Sequence, residues 1–271
     1  MLKISPGFKK GLAVAGLALS LLVFGLNVFG LFQSLEYPGL ARMYKNTGEA
    51  PPLEDWAAQA RRRPNEPDLA FARRMTTLVN RRMIYFWPPE QDDSFNVLPW
   101  ENFFIWLDLL DETDTRYQYQ NPFKALERGV GICSQHAMAL AGLLVPEGVG
   151  ARVVGLRGHV VVEARLDGRP CILDATKDVV LPYSIQQVGQ TPSLIYSAYR
   201  EKGFQPSYIA RLEKIYGPEG NYFWDYRVPV SFWEKCLVEE SRRYILKWLV
   251  PALLGLGCAL ALARGARRPP G

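Results

Sequence analysis

Two long apolar runs frame the chain, one near each end. Residues 11–32 include only two polar side chains, and as a helix they would extend about 33 Å, enough to cross the hydrocarbon core of a bilayer. Residues 244–263 form the second run, with Lys247 and Pro251 near its start, positions that a membrane helix tolerates. The pattern predicts two transmembrane helices. A cleaved signal peptide is the alternative for the first run, and a buried terminal helix is the alternative for the second.

Between the two runs, helical and strand patterns occupy separate stretches. Helical spacing comes first, Val-rich alternation follows around the hairpin signal Asp167-Gly168, and helical spacing then returns. This order indicates an α+β fold with an antiparallel sheet. The predicted helices are 53–63, 68–86, 100–110, 123–128 and 134–144, with short helices in 184–216, and the predicted strands are 151–156, 159–166 and 170–173.

The same patterns divide the chain into segments. Pro, Gly and charged residues after the first run indicate a linker, and helical spacing from residue 231 leads directly into the second run. The predicted segments are a tail at 1–10, a transmembrane helix at 11–32, a linker at 33–52, a folded domain at 53–230, a helical connection at 231–243, a transmembrane helix at 244–263 and a second tail at 264–271.

The positive charge of the chain is concentrated in the two tails. The net charge is +5, and the six basic residues that flank the outer ends of the apolar runs exceed that whole excess. Nucleic-acid binding is therefore not expected. Because positive residues next to spans remain in the cytoplasm, both tails are predicted there and the domain on the periplasmic or extracytoplasmic side of the inner membrane. The opposite orientation, with an intracellular domain, is the alternative.

Four cysteines in 271 residues do not indicate a disulfide framework. Cys258 lies within the second apolar run. A Cys171–Cys236 disulfide remains open beside the simpler interpretation that both are isolated apolar cysteines.

One cysteine stands where a nucleophile would be activated. Cys133 opens a predicted helix, whose first turn supplies free N–H groups and a favourable dipole for a thiolate. The chain has two histidines. His159, 26 residues downstream of Cys133, begins the predicted strand 159–166, where it would act as general base. Asp174, at the end of the adjoining strand, would orient the imidazole. Asp178 is a rival for this last role, and His136 is a rival base that we interpret as a packing residue.

The residues around Cys133 also bear on metal binding and on the stabilisation of an oxyanion. The spacing Cys133-x-x-His136 is compatible with a zinc pair, but the second pair that a structural zinc site needs is missing from the sequence, so no metal is expected. Acyl transfer also needs donors for an oxyanion. The backbone N–H of Cys133 is one candidate, and the side chains that remain open as the second are Gln118, Gln120 and Trp106.

The residues around this trio resemble the transglutaminase-like superfamily, which has papain-like chemistry with Cys, His and Asp in this chain order. The resemblance covers roughly residues 121–176. It implies a Cys-bearing central helix packed on an antiparallel sheet, with Cys133 as nucleophile, His159 as base and Asp174 as orienting group. One departure is that Cys171 and Ile172 stand where the family commonly has an aromatic residue. The matching segments are GICSQHA at 131–137, GARVVG at 150–155, GHVVVE at 158–163 and LDAT at 173–176.

The resemblance and the two spans together imply a function. We expect a membrane-anchored cysteine enzyme that acts on peptide-like or protein amides at the cell envelope through a thioester, resolved by water or by an amine. No cofactor is expected. Its other partner is membrane lipid, through the two spans, and an envelope protein complex remains open. The alternative is a non-catalytic transglutaminase-like module that binds or assembles partners of an envelope or exopolysaccharide system.

Overall fold

The computed structural model describes residues 5–44, 56, 58–86, 95–109, 117–217, 221–224 and 232–266. The chain forms two compact units. One contains residues 1–34, 95–117 and 239–271, and the other contains 35–94 and 118–238. The second unit holds the sheet and all three residues of the predicted catalytic trio. The helices, labelled in chain order, are α1 Pro6–Gly30, α2 Leu40–Tyr44, α3 Asp68–Arg82, α4 Pro99–Leu109, α5 Pro122–Arg128, α6 Cys133–Leu144, α7 Ile185–Gln190, α8 Tyr196–Glu201, α9 Pro206–Ile215 and α10 Phe232–Ala266.

Two helices are long and apolar enough to cross a membrane. They are the stretches Gly7–Gly30 of α1 and Glu240–Gly265 of α10, with mean hydropathies of 2.3 and 2.0. Only 11% of each apolar window is buried within the protein, so the second run is not a buried terminal helix. Both helices are compatible with a two-pass membrane protein. The predicted helical connection at 231–243 lies in α10, which begins at Phe232 and continues into the second apolar run.

The polar residues of α1 satisfy the backbone of α10 at its proline. Pro251 has no N–H, so the carbonyl of Lys247, four residues earlier, loses its helical partner. The side-chain amide of Asn27 donates to that carbonyl, and the Ser20 hydroxyl donates to the carbonyl of Pro251 at 2.6 Å. Lys247 itself is buried and donates to the backbone of Glu101 at 2.7 Å. Proline in an apolar helix is thus tolerated because Asn27 of the neighbouring helix supplies the missing donor.

The apolar helix predicted at 100–110 forms as α4, but it groups with the terminal helices instead of with the sheet. A helix that is apolar on several sides can pack against any apolar surface, and the sequence pattern does not identify which one. Asn102 interrupts α4 with an extended backbone, and its side chain accepts from the N–H groups of Phe104 and Ile105 at 3.2 Å each. It thereby caps the second part of this helix.

The sheet unit contains seven strands among the described residues, β1 Ile84–Tyr85, β2 Val130–Gly131, β3 Ala151–Leu156, β4 His159–Leu166, β5 Arg169–Asp174, β6 Val179–Leu181 and β7 Tyr222–Trp224. Five of them form an antiparallel sheet in the order β6-β5-β4-β3-β7. Asp167 and Gly168, with φ of 49° and 81°, connect β4 to β5 through the tight hairpin that the sequence predicts. An α+β fold with an antiparallel sheet is therefore observed.

Both faces of the sheet are covered. Val154, Val161 and Ile172 pack with α7, α8 and α9 in one apolar cluster. Val153 and Val162, which alternate with them, are fully buried as well, and α6 packs on the strands β3 and β4 that carry them. Burial on both sides explains why these strands are nearly continuous runs of valine.

The predicted helix at 68–86 is too long. It ends at Arg82, and Ile84 and Tyr85 form β1, which pairs in parallel with Val130 and Gly131 of β2. This pairing depends on residues 46 positions away, which the local pattern does not contain. The predicted helix at 53–63 lies partly outside the described residues.

Candidate active site

Cys133 is the first residue of α6, at a helix start whose N–H groups have no side-chain cap. Ile132 precedes it in extended conformation and provides no capping hydrogen bond. The first-turn N–H groups therefore remain available to a negative charge at the helix tip. Cys133 is half-buried and is a free thiol. A side chain at Gly131 would meet Gln135 at 2.7 Å, so this glycine permits the tight entry into α6.

The sheet brings His159 and Asp174 together. His159 is the first residue of β4 and Asp174 is the last residue of β5, and these strands pair along the hairpin. His159 Nε2 lies 2.8 Å from Asp174 Oδ2. The Cys133 thiol is close enough to the ring to act on the pKa of His159, which it helps to raise. Since Nε2 faces Asp174, Nδ1 is the ring nitrogen left for the thiol. The structure thus places the three sequence-predicted residues in one neighbourhood, with a hydrogen bond between His159 and Asp174.

Asp174 is fixed by more than the imidazole. It is fully buried, and its Oδ2 also accepts from the Tyr199 hydroxyl at 2.7 Å. Its Oδ1 accepts from the backbone N–H of Lys177 at 3.2 Å, and Tyr216 contacts the Tyr199 hydroxyl at 2.9 Å. Tyr199 was missed by the sequence reasoning, because a tyrosine in a short helix 25 residues downstream carries no pattern that links it to Asp174.

The His159–Asp174 pair is electrostatically coupled. Burial acts to lower the pKa of His159, but the charge of Asp174, the hydrogen bond to Asp174 and the neighbouring Cys133 thiol outweigh it and raise the pKa to about 10. Burial acts to raise the pKa of Asp174, but the His159 charge and the hydrogen bonds from His159 and Tyr199 lower it below its usual value. An imidazolium beside a carboxylate is therefore the favoured state at neutral pH.

This pairing predicts a loss of stability at alkaline pH. A histidine with a folded pKa near 10 and an unfolded pKa of 6.5 stabilises the fold fully below pH 6.5, and this contribution declines as the pH rises towards 10. We expect the unfolding free energy of the detergent-solubilised full chain to fall by about 2 kcal/mol between pH 6 and 9. Urea unfolding followed by circular dichroism measures it.

His159→Gln is the control, and it should flatten this pH dependence. His136 contributes with the opposite sign and only at the lower end of this range, because burial lowers its folded pKa while the unfolded ring loses its proton around pH 6.5. This contribution is the same in both proteins and does not affect their comparison. Asp174 is ionised throughout. Equal pH slopes in the parent protein and in His159→Gln would contradict the pairing.

The two residues that the sequence offers as alternatives, His136 as base and Asp178 as orienting group, have other hydrogen-bond partners. His136 is fully buried, with Nδ1 2.9 Å from the carbonyl oxygen of Ile132 and Nε2 2.9 Å from that of Met83. Asp178 accepts from the Thr77 hydroxyl at 2.7 Å and pairs with Lys202. No cluster of three or more potential metal ligands occurs among the described residues.

Among the side chains that could donate to an oxyanion, Gln118 is hydrogen-bonded to the helix that carries Cys133. Its side-chain oxygen accepts from the hydroxyl of Ser134, the residue after Cys133, at 2.6 Å. The Nε2 group is then the end of this buried side chain that can donate. Gln120 is half-buried two residues further on, and Trp106 belongs to the other compact unit.

The remaining cysteines do not enter the trio. Cys171 is a free, buried thiol in β5, and Cys258 is free in α10. The side chain of Cys236 lies outside the described residues, so the alternative of a Cys171–Cys236 disulfide stays open.

Chemically, this arrangement holds a thiol, a proton-accepting ring and a carboxylate that fixes the ring, beside a helix tip that favours negative charge. Such a set can perform nucleophilic catalysis without a metal ligand. No protein-family model matches the chain, and no curated protein matches it.

Proposed function

We propose that this protein is a membrane-anchored cysteine enzyme of the transglutaminase-like type, which acts on peptide-like amides through a thioester. The main supporting observation is the hydrogen bond of His159 to the buried Asp174 carboxylate, beside a Cys133 thiol that is near enough to raise the pKa of the same imidazole. The order of Cys, His and Asp in the chain, on a helix tip and two adjoining strands, supports the family assignment.

The reaction follows from the roles of these groups. Cys133 Sγ attacks the amide carbonyl carbon while His159 holds the thiol proton on Nδ1. The C–N bond then breaks, His159 gives that proton to the leaving amine, and a thioester remains on Cys133. Water or a second amine then attacks the thioester carbonyl carbon while His159 takes its proton. The C–S bond breaks, the carboxylic acid or the new amide leaves, and His159 returns the proton to the Cys133 sulfur. Asp174 keeps the imidazole in the orientation that this exchange requires.

Two donors would stabilise the tetrahedral oxyanion. One is the backbone N–H of Cys133, at the start of α6, and the other is Nε2 of Gln118, whose oxygen is held by Ser134. Both lie at the same end of α6, where its dipole also favours negative charge. This assignment selects Gln118 from the three side chains that the sequence leaves open.

The site of action follows from the two apolar helices and the charges outside them. Positive residues flank their outer ends, which favours cytoplasmic tails and a catalytic unit on the extracytoplasmic side. A peptide-like amide of the cell envelope is then the substrate class. A non-catalytic assembly module with the same fold is the outcome to be tested against it.

Alkylation of the detergent-solubilised full chain tests the proposal. An imidazolium and a helix N-terminus both favour the thiolate, so we expect iodoacetamide to modify Cys133 at pH 6 at least about tenfold faster than it modifies free cysteine. Mass spectrometry of the labelled peptide gives the rate. Cys133→Ala should lose the fast label and amide turnover together, whereas Cys171→Ala, the matched change at a buried thiol, should keep both. Labelling of Cys133 no faster than free cysteine would favour the assembly module.

A further inference from the structure

A lysine beside the catalytic trio stands among three aromatic rings. Lys177 Nζ lies 5.6 Å from the ring centroid of Tyr85, 5.9 Å from that of Phe204 and 5.5 Å from that of Tyr208. Phe204 and Tyr208 stack on each other at 5.3 Å. No carboxylate of the described residues forms an ion pair with Lys177. The ammonium lies over ring faces, and its charge helps to lower the pKa of Asp174.

The lysine is rigidly linked to Asp174. Lys177 is three residues downstream, and its backbone N–H donates to the Asp174 carboxylate at 3.2 Å. Asn80 of α3 holds the intervening turn by donating to the carbonyl oxygens of Ala175 and Thr176 at 3.0 Å each. The backbone that carries the ammonium is therefore fixed with respect to the orienting carboxylate of the trio.

Tyr85 connects this lysine to the thiol. Its backbone pairs with Gly131, two residues before Cys133, and its side chain is 56% exposed. Burial raises the pKa of Tyr85, and the charges of Cys133 and Tyr208 raise it further. The thiol, the Tyr85 ring and the ammonium thus lie in one partly open electrostatic neighbourhood.

We propose that Lys177 binds an anionic group of the substrate next to the scissile amide, so that the enzyme selects acidic peptide-like amides. This inference rests on the proposed function and names its substrate class. An ammonium without a carboxylate partner can form a charge-assisted hydrogen bond with a substrate carboxylate, while the exposed ring of Tyr85 provides an apolar wall. The nearby cations differ, because Lys202 is neutralised by Asp178 and Arg211 lies on the Tyr208 ring, 5.4 Å from its centroid.

Two alkylating agents of similar size test this preference on the full chain in detergent. Iodoacetate carries the negative charge that Lys177 should attract, and iodoacetamide is neutral. We expect the ratio of their rates at Cys133 to fall about tenfold in Lys177→Gln, while the iodoacetamide rate stays within about twofold. Lys177→Arg keeps the positive charge and should keep the ratio. Lys214→Gln makes the same change in net charge at an exposed lysine of α9 and should also keep it.

The outcomes separate the two proposals. An unchanged ratio in Lys177→Gln overturns the substrate preference while fast iodoacetamide labelling still supports the cysteine enzyme. An equal fall of both rates also overturns it, because Lys177 would then act on the thiolate and not on the incoming group. If neither reagent modifies Cys133 faster than free cysteine, the proposed function fails and the preference fails with it.

Discussion

His159→Gln is expected to lower kcat/KM for amide cleavage by about 10³–10⁴-fold. Glutamine is close to histidine in size and its amide can still donate to the Asp174 carboxylate, so the local hydrogen bond is retained. It cannot accept the thiol proton and return it to the leaving amine. Turnover of a peptide amide by the detergent-solubilised variant measures the loss, with Cys133→Ala as the baseline.

The chain offers a matched control in its only other histidine. His136→Gln makes the same substitution on the cysteine helix, at a ring held between the carbonyl oxygens of Ile132 and Met83. This variant is expected to be less stable, yet its folded fraction should keep kcat/KM within about tenfold of the parent value. The base would have to be reassigned if His136→Gln abolished turnover and His159→Gln did not.

The sequence was most informative where the site depends on local geometry. Cys133 begins a helix and His159 begins a strand because apolar spacing changes at those residues, and the Asp167-Gly168 turn brings the end of β5 back towards the start of β4. Hairpin pairing is local, so the approach of His159 to Asp174 could be predicted. In the structure the two side chains form a hydrogen bond of 2.8 Å between His159 Nε2 and Asp174 Oδ2.

The features of the site that the sequence does not predict depend on contacts between distant parts of the chain. The pairing of Tyr85 with Gly131, the hydroxyl of Tyr199 on Asp174 and the rings around Lys177 each join residues of separate elements. No periodicity encodes such neighbours, because helical and strand spacing identify the buried face of an element but not the element that covers it. The same limit explains why the pattern at 100–110 predicts a helix but not the compact unit to which that helix belongs.

A buried glutamine of the cysteine helix, Gln135, also forms contacts that the local sequence pattern does not predict. Gln135 is fully buried two residues after Cys133. Its amide accepts from the backbone N–H of Tyr119 at 2.7 Å and donates to the carbonyl of the same residue at 2.8 Å. Its oxygen also accepts from the guanidinium of Arg128, itself 2% exposed, at 3.0 Å. One side chain therefore satisfies three buried polar groups and places Gln118, the neighbour of Tyr119, beside α6.

Gln135→Leu is expected to lower the unfolding free energy by about 3 kcal/mol or more, because the leucine fills the space but leaves both backbone groups of Tyr119 unsatisfied and removes a partner of Arg128. Alkylation of the buried Cys171 thiol in urea, followed by mass spectrometry, reports the opening of the sheet. Gln186→Leu makes the same change at an exposed position of α7 and should alter stability by less than about 0.5 kcal/mol. If Gln135→Leu lowered the unfolding free energy by no more than this control, Gln135 would not be the residue that fixes Tyr119 against α6. The position of Gln118 at the proposed oxyanion site would then need another support.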